Sequence, residues 1–311
     1  MTAGPGRPRR PAHSLSVIVP TRDRPELLDA CLRALRAALG EDDELIVVDS
    51  ASRSAVVRDV ADRHDATYVR AERPGVGVAR NLGWRAARHP DVVFVDDDVR
   101  VDGRWADAWR ETLAAHPGVA FFTGRIGVPP EQEGVQRPVA IKDDERPAVL
   151  DRTTTGSLGH SANLAVRLHA LEAIRGFDEA MGAGGRFRSS PEYDLFDRLF
   201  GAGFVGRYEP GPRAWHEQWR SAKELIRLDF SYGTGTGARL AKLVRTDRGR
   251  ARQVAREHLW VNGVVRLGRA GAKRYKFGVA STLARLAGTV VGFARAIVVP
   301  VSGGHFIAGP R

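Results

Sequence analysis

Three consecutive stretches, LSVIVP at 15–20, ELLDACLRALRAAL at 26–39 and ELIVVD at 44–49, decide the fold. The first and third are short, nearly unbroken apolar runs, the pattern of strands covered on both faces. The second sets Leu27, Leu28, Cys31, Leu32 and Leu35 at helical spacing. The alternation continues through VVRDVADRH (56–64), ATYVR (66–70), VGVARNLGWRAAR (76–88) and DVVFVD (91–96). Such a βαβαβαβ series predicts an α/β fold, a doubly wound, mainly parallel sheet with helices on both faces. Ligands of these sheets bind beyond the carboxyl ends of the strands. Thr21, Arg22 and Asp23 follow the first strand, Asp49 and Ser50 the second, and Asp96, Asp97 and Asp98 the fourth. Polar and acidic groups therefore gather at one edge.

A helix near 103–115 and a strand in VAFFTG come next, followed by an irregular stretch, 127–157, rich in Pro, Gly, Asp and Glu. A connection of that length inside a domain points to function or mobility. Pattern returns with a strand in HSANLAV, a helix at 168–175, a Gly-rich loop at 182–185 and a helix from Ser190 or Pro191. Beyond Arg220 the pattern is helical, and GTGTG at 233–237 reads as a flexible or close-packed helix joint. The segment 279–301 is strongly apolar yet holds Arg285 and Arg295. A central charge costs a membrane span about 2.5 kcal/mol or more, so this segment reads as a basic helix lying on an anionic membrane or packed on the body.

The formal net charge of +11 is unevenly spread. Residues 231–311 hold 15 Lys+Arg and 2 Asp+Glu, leaving 33 against 35, or −2, for the rest. Basicity thus belongs to a C-terminal extension, and no nucleic-acid partner is expected. The first residues, MTAGPGRPRRPAHS, are followed by no apolar h-region. They read as a disordered tail, and the expectation is a cytoplasmic protein with peripheral contact at the inner face of the membrane through 245–301. Cys31, the only cysteine, reads as a core residue.

The strongest chemical signal is VFVDDDV at 93–99, an apolar strand ending in three carboxylates. Crowded like charges raise one another's pKa unless a cation neutralises them. A divalent metal, Mn²⁺ or Mg²⁺, suits such oxygen ligands and commonly shares them with substrate phosphates.

With these acids in place, LSVIVPTRDRPELL, IVVDSAS, GVGVARNLGW, VFVDDDV, a Gly/Asn strand, GFDE, an acidic helix start and a late histidine resemble family-2 glycosyltransferases in content and order, over about residues 14–240. The resemblance implies a GT-A fold with a nucleotide-binding half at 14–125, an acceptor half at 126–240 and a basic helical extension at 241–311, the tail occupying 1–13. It implies sugar transfer from a nucleotide diphosphate donor, a UDP-sugar by default, to a glycan, lipid-linked or small-molecule acceptor, with metal assistance and inversion. By the same resemblance Asp98 holds the metal with His216, and Asp96 or Asp97 faces the ribose. Asp49 meets the base, alternatively capping a helix; Pro20, Thr21 and Arg22 line the base, and Arg80 reaches base or phosphates. Asn163 approaches the transferred sugar. Inversion needs a base for the acceptor hydroxyl. In SSPEYDLFDRL that is Glu192 or Asp194, although Pro191 departs from the family pattern and acids at a helix start also suit the macrodipole. Trp215 and Trp219 are stacking or packing residues. Two other readings remain: a sugar-1-phosphate nucleotidyltransferase, and a non-catalytic nucleotide- or sugar-binding module on the same fold.

Overall fold

The computed structural model describes residues 13–135 and 139–307. Of the expected tail, residues 1–12 lie outside that range. His13 is described, its Nδ1 standing 2.8 Å from Asp91 Oδ2.

The N-terminal half follows the alternation. Strands β1 (Leu15–Thr21), β2 (Glu44–Asp49), β3 (Thr67–Arg70) and β4 (Asp91–Val95) are parallel, linked by helices α1 (Pro25–Ala38), α2 (Val56–Arg63) and α3 (Val76–Ala86). Side chains alternate across β1. Leu15, Val17 and Val19 join α1 and α2 in one core layer, and Ile18 joins α3 in the other. Both faces are therefore covered by helices, as predicted.

Strand β5 (Val99–Val101) and helix α4 (Trp105–Ala115) precede β6 (Phe121–Gly127), β7 (Ala148–Leu150), β8 (Asn163–Arg167), α5 (Leu168–Ile174), α6 (Pro191–Gly201) and β9 (Gly206–His216). The sheet order is β3-β2-β1-β4-β8-β6-β9-β5, with β7 paired to β9. Its second half is mixed, since β8 runs antiparallel to β4 and β6 while β6 and β9 are parallel. The short β5 positions the site: it runs antiparallel to β9 with Val99 opposite His216, which sets Asp98 beside that histidine.

Helix α7 (Ala222–Thr246) begins with a capping box between Ser221 and Glu224 and runs across the boundary expected at 240. After it come α8 (Arg248–Ala255), a π-helical run (Arg256–Val265), α9 (Arg266–Ala272), α10 (Lys276–Ala296) and the hairpin β10 (Val301–Ser302) and β11 (His305–Phe306). The GTGTG segment is a close-packed joint. A Cβ at Gly233 would stand 1.9 Å from Arg285 O, and one at Gly237 2.1 Å from Thr289 O. From the facing helix, Cβ atoms at Gly288 and Gly292 would stand 2.1 Å from Phe230 O and Thr234 O. Small residues on both sides let α7 and α10 cross backbone to backbone. The apolar 279–301 segment therefore packs one face on the body, while among the described residues Leu283, Val290 and Val298 on its other side are exposed.

Candidate active site

The carboxyl ends of β1 and β4 open onto a cleft of about 360 Å³. Among its lining residues are Pro20, Thr21, Arg22, Arg80, Asp96, Asp97, Asp98, Glu192 and His216. Residues from four separate parts of the chain, the end of β1, α3, the segment after β4, and the α6–β9 region, thus face one space.

The acids are held individually. Asp96 Oδ1 accepts from Arg80 Nη2 at 2.6 Å. Asp97 accepts from Thr21 Oγ1 at 2.7 Å and Arg24 Nη1 at 3.0 Å; burial pushes its carboxyl up to about 7, Arg24 opposes that and the Asp98 charge adds to it. Asp98 is held below the usual carboxylate range: burial works against ionisation, but His216, the Trp219 indole N–H, Arg220 and Arg24 outweigh it. Trp219 Nε1 donates to Asp98 Oδ2 at 3.1 Å, and the Arg24 and Arg220 guanidiniums sit 5.1 and 4.2 Å from its ring. This tryptophan is a partly exposed prop for Asp98, not a core residue.

His216 Nε2 stands 3.4 Å from Asp98 Oδ1. Burial, ahead of the opposing Asp98 charge, lowers its pKa below 6.5, so the ring is neutral at pH 7. Arg80 is buried, yet its Nε and Nη1 have no hydrogen-bond partner. Two unsatisfied donors on a cleft-lining guanidinium are what an anionic ligand would complete.

Helix α6 starts with Pro191 at its first position, preceded by Ser190 in the left-handed region at φ 59°. This turn brings Glu192 to the cleft, where its Oε1 lies 3.9 Å from His160 Nδ1. Burial would raise its pKa, but His160, a backbone N–H and Arg80 hold it below the ordinary value. Glu192 is therefore ionised and open to the cleft. A second cavity of about 790 Å³ shares Glu192, His160 and Tyr232 with the first and extends beneath the C-terminal helices.

Three sequence-based expectations need correction. Asp194 does not line the cleft; it is buried between Lys242 Nζ and Arg198 Nε, the latter at 3.0 Å. Burial opposes its ionisation, but those two cations lower its pKa, so it is a structural anion. Asn163 is fully buried and its amide is used internally, donating to Arg125 O at 3.0 Å and Pro212 O at 2.9 Å while accepting from Trp105 Nε1 at 2.9 Å; it does not line the cleft. Asp49 caps no helix and is likewise buried, accepting from Ser52 N at 2.8 Å, Tyr68 Oη at 2.7 Å and Arg70, its partner across β3. The loop that follows it, not its own carboxylate, reaches the cleft through Ser50. Conversely, Arg24, His160 and Arg220 line the cleft unforeseen. His160 sat within the HSANLAV motif, and Arg220 four residues past the late histidine, but neither carried a signal of its own.

The cleft lies at the carboxyl ends of a doubly wound sheet with a mixed second half. The sequence profile described as Glycosyl transferase family 2 matches residues 16–164, just under half of the chain. The pre-mycofactocin glycosyltransferase of Mycobacterium tuberculosis is 31% identical over 251 residues, covering 77% of this chain and 50% of that protein. The chain thus spans about half the length of that relative. The validoxylamine A glucosyltransferase of Streptomyces hygroscopicus subsp. limoneus is 38% identical over 113 residues, 34% of this chain and 24% of its own. Among solved structures, the mannosyltransferase PcManGT from Pyrobaculum calidifontis, in complex with GDP-Man and Mn²⁺, superposes with a TM-score of 0.64 at 19% identity, over 91% of this chain and 88% of that one. S. aureus TarS in complex with UDP gives 0.57 at 14% identity, covering 79% and 72%. Sequence similarity and fold both relate the chain to glycosyltransferases.

Proposed function

We propose that this chain transfers a sugar from a nucleoside diphosphate donor, a UDP-sugar by default, to a hydroxyl of a glycan, lipid-linked or small-molecule acceptor, with inversion and with help from Mn²⁺ or Mg²⁺. The observation that carries the reading is the meeting in one cleft of Asp98, His216, the half-satisfied Arg80 and the ionised Glu192.

The donor set fits a shared metal. Asp98 is ionised and His216 neutral, the states in which each binds a cation. Among the described residues no group of three His, Cys, Asp or Glu is assembled to hold an ion. The protein therefore offers two ligands, and donor phosphates and water complete the shell, the usual arrangement for Mg²⁺-type sites. When bound, the metal would stabilise the negative charge of the departing diphosphate.

The chain's own residues account for the rest. Arg80, with two free donors, and Arg24 and Arg220 beside Asp98 set positive charge around the phosphates. Pro20, Thr21 and Arg22 at the end of β1 lie along the nucleoside, and Asp96 and Asp97 are within reach of its ribose. Glu192 takes the proton of the acceptor hydroxyl as that oxygen attacks the anomeric carbon from the side opposite the diphosphate. The larger cavity, which meets the cleft at Glu192, receives the acceptor.

Calorimetric titration with UDP, GDP and dTDP, each with Mn²⁺ and again with EDTA, tests this reading. Metal-dependent binding of one nucleotide supports it and narrows the sugar; binding of none refutes the donor site. Nucleotide binding with no sugar release from any matching donor would favour a binding module.

A further inference from the structure

The C-terminal helices expose apolar surface that none of the described residues covers. In the π-helical run Leu259, Trp260, Val261 and Val264 are exposed, Trp260 by 60%. On α10, Leu283, Ala287, Val290 and Ala294 recur at helical spacing and are all exposed, Val290 by 70%, with Val298 just beyond the helix. They lie opposite the glycine face that meets α7. The two patches belong to neighbouring elements, since His258 Nε2 on the run is 2.8 Å from Thr289 Oγ1 on α10.

The surrounding charge is of one sign. Residues 248–276 contain nine Lys/Arg and a single acid, Glu257, and no Asp or Glu follows it to residue 311. Arg256, Arg266, Arg269, Lys273, Arg274 and Lys276 are exposed. An exposed tryptophan with aliphatic neighbours inside a ring of cations matches the interfacial region of an anionic bilayer, where the ring sits among headgroups and the cations meet lipid phosphates. A second copy of this chain would bring two such basic surfaces together and be repelled.

We propose that the outer face formed by residues 256–276 and α10 docks on an anionic lipid bilayer. Docking is independent of the donor reading. Its consequence for function does rest on that reading: Asn262, Arg266 and Arg269 also wall the cavity that reaches Glu192, so a bilayer held here sits beside the space assigned to the acceptor.

The test is flotation of the full chain with neutral phosphatidylcholine vesicles and with vesicles containing about one-third phosphatidylglycerol. The chain should float with the anionic vesicles only, and less as salt shortens the screening length from about 10 Å at 0.1 M to about 3 Å at 1 M. Trp260→Glu with Val290→Asp, and separately Arg266→Glu with Arg269→Glu, should each weaken binding by about tenfold or more, given about 1 kcal/mol per basic residue near such a surface. These side chains are exposed, so melting should be unchanged; as a second readout, tryptophan quenching by brominated lipid in the unaltered chain should fall in Trp260→Phe. No binding to anionic vesicles, equal binding by both double variants, or a dimer abolished by Trp260→Glu overturns the proposal. Calorimetric nucleotide binding, measured alongside, reports on the donor site separately.

Discussion

Glu192 and Asp194 lie two residues apart on the same helical turn, yet the structure gives them opposite environments, and Glu192→Gln and Asp194→Asn should separate chemistry from stability. Glu192 lines the cleft, with His160 Nδ1 3.9 Å from its Oε1. Its amide variant should fold normally and bind donor nucleotide as before, but lose the factor of about 10²–10⁴ that a general base supplies, about 3–5 kcal/mol of barrier. Asp194 is shut between Lys242 and Arg198. The amide can accept from one cation but turns an N–H₂ toward the other, and breaking a buried pair in this way costs about 3–5 kcal/mol. At about 2–4 °C per kcal/mol for chains of this order, the melting temperature should fall by roughly 10 °C. The assays are thermal melts by circular dichroism, calorimetric nucleotide binding, and release of nucleoside diphosphate from the matching donor well below the melt. An Asp194→Asn protein that melts unchanged but no longer turns over, or a Glu192→Gln protein with full turnover, would refute the assignment.

Asp98→Ala should remove the difference between nucleotide titrations in Mn²⁺ and in EDTA, because His216 alone remains to hold the ion; a persisting difference would show that the metal sits elsewhere. Gly288→Val should cost about 3 kcal/mol or more by overpacking, since its Cβ would stand 2.1 Å from the rigid carbonyl of Phe230; an unchanged melt would contradict the close crossing. His258 should make stability fall in acid. Burial, reinforced by Arg285 and Arg239, pushes its pKa to about 4, so between the ordinary value of 6.5 and about 4 the unfolded chain binds the extra proton. The stabilisation is complete above pH 6.5 and fades toward pH 4, by about 3 kcal/mol at most. Denaturant melts of His258→Gln should show that much less pH dependence over this window.

The parallel half was legible because β1, β2 and β4 are short runs rich in Val, Ile and Leu that alternate with helical patterns, and β3, TYVR, falls in the place that alternation leaves for it. β9 was not. GRYEPGPRAWH carries Pro210, Gly211 and Pro212 at its centre, and it survives as a strand because its pairing with β6 breaks register between Gly124 and Arg125 opposite that kink. β5 and β7 are three residues each, too short for a period to show. The same distinction holds in the site. Asp98 and Glu192 announced themselves by unfavourable or patterned charge, whereas Asp194 and Asn163 were misread because what consumes them, Lys242 and Trp105, lies 48 and 58 residues away. Arg24 and Arg220 matter through where β1 and β9 end, which no local sequence signal encodes.

The glycine crossing of α7 and α10 has a mechanical side. Where helices meet through side chains, a compliant layer lets one slide against the other without disturbing what lies behind. Here backbone rests on backbone, so the two helices would be expected to move together. One of them, α7, carries Leu228 and Tyr232, which form part of the wall of the cleft. The other presents its free face to the outside. A grip on α10 from without would therefore bear on the helix that walls the space in which sugar transfer is proposed to occur.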